Sequence, residues 1–232
     1  MRPVRIYALP RSADADGIAT SQTPGGAGAL TLDGALVSGG VATISRSDTD
    51  ASGRPYSFIG QSVTVTSAAD DSGRTFTIVG KDQDGQSYTE ALTGANAGAA
   101  TTTGYFSEVS SISVDAATAG AVTAGIATTF STPTIALDHY IGDGVALAVI
   151  LGGTATYTVQ QTFDDVQAQV WKDGYTWDAG TGTWLDHDST DFVDGTASAD
   201  GNYQFIPKAT RCKVTSWTSG TVEYDVISAR AC

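Results

Sequence analysis

Apolar and polar residues alternate with a period of two through much of this chain, and the alternation is cleanest between Gln61 and Thr93. Val63 and Val65 fall on one face, with Thr64 and Thr66 on the other. After a Ser72-Gly73 turn, Phe76 and Ile78 share a face, and after Asp82-Gln83-Asp84-Gly85 so do Tyr88, Glu90 and Leu92. A period of two is the spacing of a strand with one buried face. The run therefore predicts three strands joined as a meander of two hairpins, with Asp and Gly supplying the turns.

The same grammar extends along the chain. Val4, Ile6 and Ala8 alternate with Arg5 and Tyr7 and predict a short extended arm or edge strand. Arg11 to Gly28 is dominated by Ser, Ala, Asp, Gly and Pro, with too little apolar area to offset its ordering entropy, and is expected to be a loop that is mobile or ordered by a partner. Leu30, Leu32, Leu36 and Val41 to Ile44 predict the first strands of a domain, and Arg46 to Pro55 a loop. Phe106, Val109 and Ile112 fall three apart, which fits one helical turn as well as an irregular strand. Val122, Ala124 and Ile126 mark a further strand, and Thr132-Pro133 a domain junction near residue 133.

In the second half, Val145 to Leu151, Gly152-Gly153 and Thr154 to Gln160 read as a hairpin. Its first arm is apolar on both faces, as expected of an inner strand or one at a subunit contact. Cys212 to Trp217 and Thr221 to Ile227 predict a closing hairpin about Thr218-Ser219-Gly220. The expected fold class is all-β, with an extended N-terminal arm (1–28) followed by two β-sandwich or jelly-roll-like domains, 29–133 and 134–232.

Composition narrows the function classes. The 232 residues are 41% hydrophobic, enough for a real core, and carry a formal charge of −13 with no basic stripe. Nucleic acid is not an expected partner, because phosphate binding needs clustered Lys and Arg. Arg2, Arg5 and Arg11 make the N-terminus locally positive, so that this arm is a candidate contact for an acidic partner surface. The first twenty or so residues lack the apolar core of a signal peptide, and Val145 to Leu151 is far shorter than the roughly 20 residues of a membrane span. A soluble product of the cytosol, with no membrane partner, is expected. Cys212 and Cys232 are too few and too lopsided for a disulfide framework, and free thiols are expected.

Candidate chemistry is sparse. His139 and His187 are the two histidines; Asp138-His139 lacks an accompanying nucleophile elbow and reads as structural or surface-borne. Asp186, His187, Asp188, Asp191 and Asp194 form the densest set of oxygen ligands, but their spacing is not that of an EF-hand, and a solvated acidic loop accounts for them. Asp82-Gln83-Asp84-Gly85 reads as a hairpin turn. Trp171, Tyr175, Trp177 and Trp184 could stack on sugar rings, or fill a core or a subunit interface. No catalytic residue, cofactor site or metal site is expected.

The run VTVTSAADDSGRTFTIVGKDQDGQSYTEALTGANAGAATTTGYFSEVSSISV, Val63 to Val114, resembles a segment recurring in virion structural proteins of tailed bacteriophages. There an SG-x-TFTI-x-G strand, a D-x-DG turn, a T-E strand and a TG-x-N-x-G turn follow in that order. GGTATYTVQQTFDD and TASADGNYQF in the second half are similar to the companion part of such proteins. The resemblance implies a non-enzymatic virion component: a decoration or cement protein on the capsid exterior, partnered by the major capsid protein and by copies of itself, with trimers among the expected assemblies. Within the same particle, a tail, connector or head-fibre part is the alternative. A carbohydrate-binding adsorption module is the alternative of a different class.

Overall fold

The computed structural model of the protein describes residues 3–137, 144–164 and 182–228. Among them the chain is all-β, and its strands pair antiparallel. In chain order the strands are β1 (Val4–Ala8), β2 (Asp14–Gln22), β3 (Gly28–Ala29), β4 (Val37–Ser38), β5 (Val41–Thr43), β6 (Gly60–Ser67), β7 (Thr75–Asp82), β8 (Ser87–Thr93) and β9 (Ala99–Thr101). There follow β10 (Phe106–Val114), β11 (Val122–Ser131), β12 (Ile135–Ala136), β13 (Val145–Leu151), β14 (Ala155–Thr162), β15 (Leu185–Asp186), β16 (Ala199–Tyr203), β17 (Ala209–Trp217) and β18 (Val222–Ser228).

The chain forms two compact units that interleave in sequence. A central unit comprises Arg11–Ser45 and Ile59–Phe130; a flanking unit comprises Met1–Pro10, Arg46–Phe58 and Ser131–Cys232. The division differs from an arm followed by 29–133 and 134–232. Val4, Ile6 and Ala8 pair β1 in register with Val226, Tyr224 and Val222 of β18, and this draws the N-terminus into the flanking unit. Residues 46–58 follow it, because Ser57 exchanges hydrogen bonds with Tyr7: its hydroxyl accepts the Tyr7 N–H at 2.9 Å, and its own N–H donates to the Tyr7 carbonyl at 2.8 Å.

The stretch Arg11 to Gly28, expected as a loop that is mobile or ordered by a partner, carries a strand paired within the chain. Asp14–Gln22 forms β2, paired with β11, and buries Ile18 and Ala19 completely. The small residues that made this stretch look like a loop are what let two backbones approach: a methyl at Gly125 of β11 would overlap the Asp14 carbonyl oxygen.

The alternation from Gln61 to Thr93 places its residues as expected. Val63, Val65, Phe76 and Ile78 are fully buried, Leu92 is buried, and all belong to one core with Ile44, Phe106, Val109, Ile112, Val122 and Ile126. β7 and β8 form the expected hairpin, in register from Thr75↔Thr93 to Lys81↔Ser87. The first expected hairpin does not form. β6 lies between β11 and β10 and also pairs β9, while β7 pairs β10 and β8. An inner position for β6 agrees with its near-continuous burial. The three-residue spacing in β10 is that of a strand with irregularities. Register shifts against β7 occur between Phe106 and Glu108 and between Val109 and Ser111, and each bulge restores the next apolar residue to the core face. Gly80 sits opposite, where a methyl would strike the Glu108 carbonyl.

The flanking unit has two sheets. One has the order β1-β18-β13-β16; in the other β14 lies between β15 and β17, and β12 also pairs β17. β13 and β14 are therefore not a hairpin, and neither are β17 and β18: each pair crosses from one sheet to the other. The two crossings touch. Gly152 N–H donates to the Thr221 carbonyl at 2.8 Å, and Thr218 N–H to the Thr154 carbonyl at 2.9 Å. A methyl at Gly153 would overlap the Ser219 carbonyl, and Gly220 takes φ +78°. β13 is an inner strand of its sheet, as its composition predicts, with Val145, Leu147 and Val149 buried and Ile150 46% exposed on the other face.

Candidate functional site

The turn and strand residues between Val63 and Val114 act on the fold. Asp82 Oδ1 accepts from the N–H groups of Asp84 at 2.8 Å and Gln86 at 2.9 Å, and Gly85 takes φ +75°, so Asp82-Gln83-Asp84-Gly85 is the hairpin turn its composition predicts. Gly94 leaves no room for a side chain against the Asp71 carbonyl, and Asn96 bridges to Asp70. Glu90 fastens the loop after β9. One carboxylate oxygen accepts from Thr103 N–H at 2.7 Å and Thr103 Oγ1–H at 3.0 Å, the other from Gly104 N–H at 2.9 Å and Tyr88 O–H at 3.2 Å. Glu90→Gln turns an NH2 toward one of these donors. It is expected to lower stability by about 1 kcal/mol, with faster hydrogen exchange at the Thr103 and Gly104 amides as the local readout.

Of the arginines expected to face a partner, Arg5 and Arg11 belong to different units. Arg2 lies outside the described residues. Arg11, in the central unit, donates from Nε to the Ile44 carbonyl at 2.9 Å, and its N–H donates to Gln61 Oε1 at 2.8 Å. Arg5, in the flanking unit, forms a forked pair with Asp225 at 2.9 and 3.1 Å and meets Glu223 at 2.8 Å. These carboxylates raise its pKa, the Asp225 hydrogen bond most.

Around Arg5 the outer face of β1 and β18 carries a stack that the sequence pattern did not single out. Arg54 lies 3.5 Å over the Tyr7 ring and reaches Glu223 at 3.0 Å; Tyr7 stacks on Tyr56 at 5.4 Å and 17°; Arg46 covers Tyr56 at 5.2 Å and pairs with Asp48. Asp50 accepts from the Ser52 and Arg54 N–H groups and from the Tyr7 hydroxyl, and these bonds hold its carboxyl below the ordinary range, the Arg54 N–H most. Each cation here has an acid or a ring, and the stack pins residues 46–58 to β1. Arg54-Pro55-Tyr56 was the available signal, inside a segment that reads as a plain loop.

Trp171, Tyr175 and Trp177 lie outside the described residues, as do Asp138, His139 and Cys232. Trp184 is half-buried beside the outer side of β14 and β17, with Arg211 4.1 Å over its ring. Arg211 also donates to Gln160 Oε1 at 2.9 Å, and Gln160 Nε2 to Asp186 Oδ1 at 3.0 Å. A guanidinium thus occupies one face of the ring that a sugar would need.

The acidic loop after β15 is organised by its backbone. Ser189 caps a 3-10 turn at Thr190–Phe192, Gly195 pairs with Tyr157, and the Tyr157 hydroxyl donates to the Ala197 carbonyl at 2.9 Å. Among the described residues no three His, Cys, Asp or Glu side chains converge as metal ligands. His187 is buried between Phe192 and Tyr203, with ring centroids 4.8 and 4.9 Å away. Its Nδ1 accepts the Ser189 N–H at 3.0 Å, so the neutral ring carries its proton on Nε2. Burial lowers its pKa, against the opposing pull of Asp188 and the Asn202 carbonyl. A histidine held below its unfolded value binds fewer protons folded than unfolded. Stability is therefore expected to fall as pH drops below about 6.5. His187→Gln should flatten that segment of a thermal-midpoint profile against pH.

Cys212 is fully buried opposite Val159 of β14, and burial pushes its thiol up to about 12. The same core holds a hydroxyl cluster. Thr210 Oγ1 lies 2.9 Å from the Tyr203 hydroxyl, 2.6 Å from the Tyr224 hydroxyl and 3.0 Å from the Gln160 carbonyl. Thr210 has one hydroxyl proton, which the carbonyl takes, so both tyrosines donate to it. This bond set ties β16 and β18 of one sheet to β17 of the other.

No protein-family model matches the chain, and no curated protein matches it.

Proposed function

We propose that the protein is a non-enzymatic structural component of a tailed-phage virion: a homo-oligomeric decoration or cement protein, built of two β-sandwich-like units, that binds the major capsid protein on the capsid exterior and stabilises the shell. The observation that carries this reading is the ordered series of motifs from Val63 to Val114 that resembles the recurring virion segment. Its residues serve turns, caps and close backbone contacts, as expected of a segment whose role is to hold a shape. Exposed apolar side chains of the flanking unit, Phe163, Leu185 and Phe205, the last 81% exposed, offer area for burial in an assembly. Stabilisation would follow from mass action, since a protein that binds only the assembled lattice shifts the equilibrium toward it.

The test is cosedimentation of the purified full chain with undecorated capsids. Saturable binding at many copies per particle, with a raised temperature of capsid disruption, is the expected result. A few copies per particle would place the protein in the tail or connector, and no binding would refute the virion-surface reading. Removing residues 1–28 is unsuitable as a variant, because it deletes β1 and β2. Phe205→Asp is the better one.

A further inference from the structure

We propose that β8 is a docking edge for a second copy of this chain, pairing antiparallel with its own counterpart about a two-fold axis. Among the described residues β8 is bonded to β7 alone, along one side. Two bonds frame its ladder: Gly94 N–H to the Arg74 carbonyl at 2.9 Å and Asp82 N–H to the Gln86 carbonyl at 2.9 Å. They set its parity. The even-numbered residues of β8 exchange bonds with β7, so the N–H and C=O groups of Ser87, Thr89, Ala91 and Thr93 point out of the sheet edge. Among the described residues no other segment hydrogen-bonds to the backbone of these four, and all four are exposed.

Among the described residues the other edge strands are engaged or shorter. Tyr7 of β1 is engaged by Ser57. β2 receives the N–H groups of Gly34 and Leu36 on the Ile18 and Gly17 carbonyls, and its Thr20 N–H is taken by Asp33. β16 is shorter and carries Asp200 within it. Of the devices that block an edge, β8 carries only a single inward charge. Its seven residues include no proline and no lysine, and its ladder with β7 shows no register shift. Its one charge, Glu90, is turned to Thr103 and Gly104.

The occupant follows from charge and symmetry. A chain of net charge −13 meets its copy at a seam of Ser, Thr and Ala, where no like charges oppose. An antiparallel edge is also self-complementary, so one surface serves both partners. The register must keep Glu90 from facing the second Glu90. Centring on Ala91 does so, setting Thr89 against Thr93, Glu90 against Leu92 and the small Ala91 against itself.

This pairing stands independently of the virion reading. Its test is sedimentation equilibrium of the full chain and of Ala91→Pro, together with mild oxidation of Ala91→Cys in a Cys232→Ser background. The Ala91 N–H faces outward, so proline there spares the β7 ladder. The expected result is a wild-type dimer, at least about tenfold weaker self-association in Ala91→Pro with an unchanged circular dichroism spectrum, and a disulfide-linked dimer of Ala91→Cys. A wild-type chain that stays monomeric overturns the proposal, as does a folded Ala91→Pro chain that associates normally. Should Ala91→Pro fail to fold, the cysteine variant decides: no cross-linked dimer overturns it.

Discussion

Thr210→Val is expected to destabilise the flanking unit by about 2–4 kcal/mol, although valine matches threonine in shape. The lost hydroxyl is the acceptor for two buried phenols and the donor to the Gln160 carbonyl. Both rings sit in the core, where burial raises their pKa values and favours the protonated, donating form. The substitution leaves two donors facing a methyl group. Tyr224→Phe removes one donor and leaves Thr210 bonded to Tyr203, so a loss of about 1 kcal/mol is expected. Urea unfolding of the two variants beside the wild type measures the difference. Equal losses would show that the two stranded donors cost no more than a single lost hydrogen bond.

Gly125→Ala is the second large effect, expected to cost about 4 kcal/mol or more. The added methyl meets the Asp14 carbonyl oxygen and lies 2.6 Å from the Ala15 carbonyl carbon, both backbone atoms of β2 that no rotamer change can move aside. β2 must then lift from β11 and uncover Ile18 and Ala19. Gly85→Ala provides the scale. That position takes φ +75° with open space around it, so the cost is conformational and about 1 kcal/mol. Soluble yield and the exchange rates of β11 amides distinguish a lifted strand from a tolerated methyl.

What was legible in the sequence is what local periodicity encodes. Val63 and Val65, Phe76 and Ile78, and Tyr88 with Leu92 lie on the faces that alternation assigns, and the Asp82 turn closes the hairpin it predicts. Partnership was less legible. Gly152-Gly153 and Ser219-Gly220 satisfy a two-residue hairpin and a crossing between sheets equally well, because glycine permits both, and the choice is made by where Val149, Tyr157 and Tyr224 bury their side chains. Arg11 to Gly28 misled for a related reason: small residues signal either a loop or a strand in close backbone contact, and only β11 with its Gly125 tells them apart. Bulges in β10 hid a strand behind a helical spacing. Of the candidate contacts, Arg5 was visible as a charge, but its partners Glu223 and Asp225 stand so far along the chain that no window of sequence could have joined them.

The pairing of β1 with β18 carries a kinetic consequence. Arg5 and Asp225 are separated by 220 positions, so during synthesis β1 must wait for that length of chain before its ladder can form. The central unit, drawn from residues 11–45 and 59–130, has no such delay. It is in a position to fold on the ribosome while the flanking unit is still incomplete. Closing so long a loop delays β1 through chain entropy. A circular permutant that joins the paired ends and opens the chain elsewhere should accordingly refold faster while keeping the same strand order.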